Sequence, residues 1–250
     1  MEIAQHVARL VAEGELLADA AARTDLDASV PTCPGWRVRD LVRHVGGVHR
    51  WAATYVAQSR SEPMDEGEEH AVMDTWPDDG ALVEWFREGH AILVRTLEGA
   101  SPDLSCWSFL PAPSPLAFWT RRQAHETAIH RADAEGPGGT ITPFPPAFAV
   151  DGIDELLMGF VTRPGGGLVS ERVRTLHVRC TDADGDRLVR IGPDGVVVSR
   201  ESAASDCAVL GSASDLYLLL WNRRTLEGLE VRGDRTLLDL WRETVHIRWS

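Results

Sequence analysis

Glu126 and His130, four positions apart, carry the first chemistry legible in this chain. Four residues are close to one helical turn, so a carboxylate and an imidazole at this spacing lie one above the other and can converge on a single cation. Both belong to WTRRQAHETAIHRADAE, residues 119–135. At ~100° per residue, Phe118, Trp119, Ile129 and Ala132 share a half of the helix with the pair. Thr120, Arg121, Ala124, Thr127 and Arg131 take the other half. A plainer alternative fits the same spacing: Arg122, Glu126 and His130 as a solvated ladder of i,i+4 pairs, each worth ~0.2–0.5 kcal/mol. A third ligand from another element separates the two readings.

The elements that would supply it are helical. Residues 2–23 place Ile3, Val7, Leu10, Val11, Leu16 and Leu17 at helical period. Pro31, Pro34 and Gly35 in VPTCPGW, residues 30–36, make a sharp corner into a second helix over 37–59. There Leu41, His44, Val48, Trp51 and Tyr55 fall at spacings of three and four, opposite Arg39, Arg43 and Arg50. His44 therefore lies in the apolar stripe, either as a core histidine satisfied by a carbonyl or as a ligand; His49 lies further round. Residues 60–78, acidic and proline-containing with His70, read as a solvated loop without chemistry. A third helix over 80–98 buries Leu82, Trp85, Phe86, Ile92, Leu93 and Leu97, with His90 as a core histidine. SFLPAPSP then leads to a fourth helix that Ser114 caps and Pro115 opens. Four such helices imply an antiparallel bundle, an architecture that builds metal sites from inward-pointing side chains. His44, Glu126 and His130 would give two imidazoles, one carboxylate and an open position, the pattern of a catalytic rather than a structural zinc site.

Beyond residue 135, GPGGTITPFPP reads as a linker and FAVDGIDELLMGFVTR as a short helix. RTLHVRCTD, DRLVRIG and GVVVS then alternate at period two between turn sequences, which predicts an antiparallel meander. CAVLG is a last strand, SASDLYLLLWNRR a helix capped by Ser212 or Ser214, and DRTLLDLWRETV another helix. The expected fold class is α+β: a helix bundle over residues 1–160 and a smaller α+β domain of antiparallel strands and helices over 161–250.

Composition narrows the chemistry. A formal charge of −13 and a pI near 5.1 disfavour contact with phosphate backbones, so nucleic acid is not an expected partner. All 25 basic residues are Arg, which excludes Schiff-base and lysine-nucleophile chemistry and suggests the codon usage of a GC-rich genome. Cys33, Cys106, Cys180 and Cys207 form no CxxC, so neither a zinc ribbon nor a disulfide scaffold is indicated. The start lacks a basic region followed by an apolar run, and nowhere do about 18 apolar residues follow one another; a cytoplasmic protein, off the membrane, is expected.

Residues 32–52, TCPGWRVRDLVRHVGGVHRWA, and 121–135, RRQAHETAIHRADAE, resemble the mycothiol-dependent maleylpyruvate isomerase family, and GSASDLYLLLWNRR, residues 211–224, resembles its C-terminal domain. The likeness implies a DinB-like bundle with a divalent metal, usually zinc, held by His44, Glu126 and His130. It implies mycothiol as thiol cosubstrate and a small electrophilic substrate, acted on by an isomerase or a thiol transferase. A substrate-binding arginine of the C-terminal domain corresponds best to Arg223, with Arg224 adjacent. The Thr that often follows PGW in the family is Arg37 here, which leaves Asp40 in the first turn to cap the second helix. A thiol cosubstrate would supply the sulfur, so Cys33, between prolines at the corner, is expected to pack rather than react. A monomer or small homo-oligomer is expected. Two alternatives stay open: a hydrolase using metal-bound water, and a non-catalytic metal-binding regulatory protein.

Overall fold

Ser114 accepts a hydrogen bond from the Ala117 N–H at 3.1 Å and Pro115 takes the first helical position, so helix α5 (Pro115–Glu135) begins where its capping residues dictate. The protein's structure, a computed structural model, describes residues 1–163 and 167–247. Two compact units divide it, Met1–Thr142 and Pro143–Ser250.

The first unit is a four-helix bundle of α1 (Ile3–Arg23), α2 (Val38–Gln58), α4 (Asp79–Gly99) and α5, each 21 residues long. Helix α5 packs on α1 and α2, and α4 on α2 and α1. Small residues let these helices approach closely: a Cβ on Gly14 would lie 2.2 Å from His90, and one on Gly46 2.1 Å from the Trp85 ring. Leu17, Val38, Leu41, Val45, Leu82, Phe86 and Ala134 form part of one apolar core. Elsewhere Trp119 lies 5.2 Å from both Trp51 and Tyr55, with Trp107 and Phe118 beside it. The Arg37 N–H donates to Asp40 at 2.9 Å, so the first-turn acid does take up the start of α2.

Two expectations change. The stretch expected as a plain loop contains a short exposed helix, α3 (Glu66–Met73); Asp65 accepts from the Glu68 N–H and Glu68 from the Asp65 N–H, and this capping box forms a helix without an apolar stripe. Helix α5 is also no solvated ladder. It is buried on every face, and buried charges on it find partners inside the bundle: Arg131 donates to Glu13 of α1 at 2.8 Å and to Glu135 at 2.6 Å.

The second unit begins at Pro143 rather than after residue 160, because helix α6 (Pro146–Asp154), continued by a π-helical turn Glu155–Val161, packs on α7 (Ala213–Leu220) through Phe148 and Tyr217. Its five strands are β1 (Arg174–Cys180), β2 (Arg187–Gly192), β3 (Gly195–Ser199), β4 (Cys207–Gly211) and β5 (Glu230–Gly233), in the order β3-β2-β1-β4-β5. The β1-β2-β3 meander is antiparallel as its turns predict. Strand β4 pairs parallel with β1, which makes the sheet mixed: the connection over 200–206 carries the chain from the β3 edge to the free side of β1. Strand β5, absent from the sequence reading, closes that edge antiparallel to β4. Helix α8 (Thr236–Thr244) follows.

Candidate metal centre

Helix α2 contributes His44 and helix α5 contributes Glu126 and His130, and the structure brings the three together. The His44 Nε2 lies 3.3 Å from Glu126 Oε1, and the His130 Nε2 lies 3.2 Å from the same oxygen. One ligand atom from each of the three falls within 4.8 Å of the other two. Bonds of ~2.0–2.1 Å from a tetrahedral zinc ion give donor atoms about 3.3 Å apart, so the two separations are compatible with neighbouring ligands on one ion. The donor set fits a borderline divalent cation such as zinc.

The surroundings orient the candidate ligands. Arg122, one turn before Glu126 and 1 % exposed, donates to Glu126 Oε2 at 2.8 Å, which leaves Oε1 to face the imidazoles. Burial pushes the Glu126 carboxyl up. Hydrogen bonds from His130 and His44, with the His130 and Arg122 charges, outweigh this and hold it well below the usual carboxylate range. Burial lowers His130 too, but its Nδ1 donates to Asp133 Oδ2 at 2.9 Å and its Nε2 faces Glu126; together the two carboxylates raise it to about 9. The Trp36 indole stacks on His130 at 6.2 Å and meets His44 edge-on at 5.0 Å, so the corner between α1 and α2 walls both rings. His44 is the most exposed of the three candidate ligands, at 17 % of its side chain.

Three other histidines singled out from the sequence have partners of their own. His90 bonds the Leu10 carbonyl at 3.0 Å, as a core histidine should, and His49, fully buried, bonds the Thr127 hydroxyl at 2.8 Å. His70 is exposed and pairs with Asp74. All four cysteines are free thiols. Cys33 lies beside the centre, its Sγ 3.4 Å from Asp133.

Sequence reasoning missed Asp133 and Thr32. Asp133 was within reach of it, since a residue three beyond His130 shares its side of a helix. Thr32, 101 positions from the carboxylate it bonds, gave no signal.

In the second unit, Arg223 lies past the end of α7 rather than on it. Asn222 takes the left-handed conformation at φ 59°, its N–H returns to Leu219 and that of Arg223 to Leu218, a Schellman motif that closes the helix. The Arg223 Nη1 donates to the Trp221 carbonyl at 2.9 Å, and Arg224 is engaged by Asp215 and the Glu227 carbonyl.

Among the described residues no helix is long and apolar enough to cross a membrane. Residues 7–135 match the family model described as the mycothiol maleylpyruvate isomerase N-terminal domain, and residues 147–240 match the MDMPI C-terminal domain. No curated protein matches the chain. Two solved structures are similar in fold, the mycothiol-dependent maleylpyruvate isomerase and a His-to-Ala mutant of it. Each has TM-score 0.62 at 15 % identity, covering 92 % of this chain and 93 % of the other.

Proposed function

This chain belongs to the mycothiol maleylpyruvate isomerase family, and on that premise we propose that it is a metal-dependent isomerase or thiol transferase that uses mycothiol to act on a small electrophilic substrate. The observation that carries the reading is the convergence of the His44 and His130 Nε2 atoms on one oxygen of Glu126 at 3.2–3.3 Å. A divalent ion, most simply Zn2+, held there supplies Lewis acidity that favours the thiolate of a coordinated thiol.

The chain's own groups do the rest. Glu126, ionised across the neutral range, brings negative charge to a cation without having to lose a proton. Arg122 fixes which oxygen it offers. Trp36 shields the two imidazoles, which strengthens electrostatic interactions on that side. In the second unit, Arg223 is our candidate for binding a substrate carboxylate, for which the planar guanidinium fork is suited.

Maleylpyruvate offered to zinc-loaded protein with and without mycothiol tests the reading. Turnover that needs both metal and thiol supports it. Thiol-independent hydrolysis of test esters would replace it with a hydrolase, and metal binding without any turnover of a thiol-reactive electrophile panel would favour the regulatory alternative. Arg223→Ala should raise KM for an acidic substrate and leave metal content unchanged.

A further inference from the structure

We propose that Asp133 is the positioning residue of the metal centre, and that Thr32 of the α1–α2 corner holds Asp133 in place. The inference rests on the metal reading above and adds residues that the ligand set does not contain.

Three donors meet on this one carboxylate, which is fully buried. The Thr32 hydroxyl donates to Oδ1 at 2.5 Å, the His130 Nδ1 to Oδ2 at 2.9 Å, and the Cys33 thiol to Oδ2 at 3.4 Å. A fully buried carboxylate is costly unless bonded, so its place beside a candidate ligand histidine calls for a reason. The geometry supplies one. An imidazole whose Nδ1–H is committed to a carboxylate can present a lone pair only at Nε2, and the His130 Nε2 is the atom that faces Glu126 and His44. Asp133 thus fixes both the tautomer and the ring plane of His130.

The same carboxylate reaches the corner from which Trp36 packs on both imidazoles. Thr32 and Cys33, about 100 positions earlier in the chain, are drawn onto α5 by it. One side chain therefore sets the His130 ring from inside and holds the loop that walls it from outside. Cys33 contributes a weak bond to this arrangement and belongs to the support of the centre rather than to its ligands.

The test is zinc affinity of the full-length chain by chelator competition, for wild type, Asp133→Ala, Thr32→Val and Thr32→Ser. Histidine 15N–1H correlation spectra of the zinc-loaded proteins accompany it. Loss of such a supporting carboxylate typically weakens metal binding 10–100-fold. Asp133→Ala should show that loss, together with disappearance of the downfield His130 Nδ1–H resonance. Thr32→Val should move both readouts the same way by less, and Thr32→Ser, which keeps the hydroxyl, should restore them. Zinc affinity of Asp133→Ala within twofold of wild type, with the resonance retained, would overturn the proposal. Should that variant fail to fold, Thr32→Val decides, and an affinity and spectrum equal to wild type would be equally fatal. A wild-type chain that binds no zinc would instead remove the metal reading beneath it, a result distinct from either.

Discussion

Replacing Arg131 by Met tests how α5 keeps its polar residues inside the bundle. The guanidinium is fully buried and bonds Glu13 of α1 at 2.8 Å, with that carboxylate only 3 % exposed. Burial already raises the Glu13 pKa above its ordinary 4.5, with Arg131 working against the rise. Met fills much of the space but leaves Glu13 without the guanidinium that bonds it and takes the same partner from Glu135, and breaking a buried pair in this way costs about 3–5 kcal/mol. At about 2–4 °C per kcal/mol for a chain of this size, the melting temperature should fall by on the order of 10 °C at neutral pH. The pH dependence carries the sharper signature. A carboxyl raised in the folded state takes up its proton there first, so folding gains stability as pH falls through the folded value toward 4.5. Arg131→Met should therefore recover stability on acidification from pH 7 to 5.5, more than wild type does over the same range. Adding Glu13→Leu should restore much of the neutral-pH loss, since an apolar pair of similar volume often matches a buried ion pair. Thermal melts of the three proteins at two pH values decide it. A single mutant within 1 °C of wild type, or one whose stability changes on acidification no more favourably than that of wild type, would refute the reasoning.

Two other outcomes follow from buried groups. Burial holds His49 well below its ordinary range and His90 below it; a histidine that resists protonation in the fold contributes stability that is full above about pH 6.5 and lost as pH falls through the folded value. The stability advantage of wild type over His49→Gln in urea should accordingly shrink between pH 7 and 5.5, and an advantage that grows would contradict the assignment. Cys33→Ala should keep most of the activity in a mycothiol-dependent assay, because the cosubstrate brings the sulfur; a loss of about 10³-fold would mean that the protein itself is the nucleophile.

The four long helices, the Ser114 cap and the strands β1 to β4 were legible because apolar period and capping chemistry are local. The candidate trio of His44, Glu126 and His130 drew its weight from the family resemblance, since neither helix alone separates a ligand pair from an ordinary ion-pair ladder. Three features were hidden for stated reasons. The buried ring of α5 carries Arg122, Gln123, Arg131 and Asp133 where periodicity would expect apolar residues, so no pattern announces a helix buried on every side. The parallel pairing of β4 with β1 depends on a crossover that strand-local alternation does not encode. Thr32 reaches Asp133 through the fold alone.

Metal occupancy is the most direct test of the centre. Purified chain stripped with chelator and then titrated with zinc should take up one ion, and His44→Ala, Glu126→Ala and His130→Ala should each abolish tight uptake. Wild type that takes up no zinc, or that binds it undiminished after His44 or His130 is removed, would contradict the centre described here.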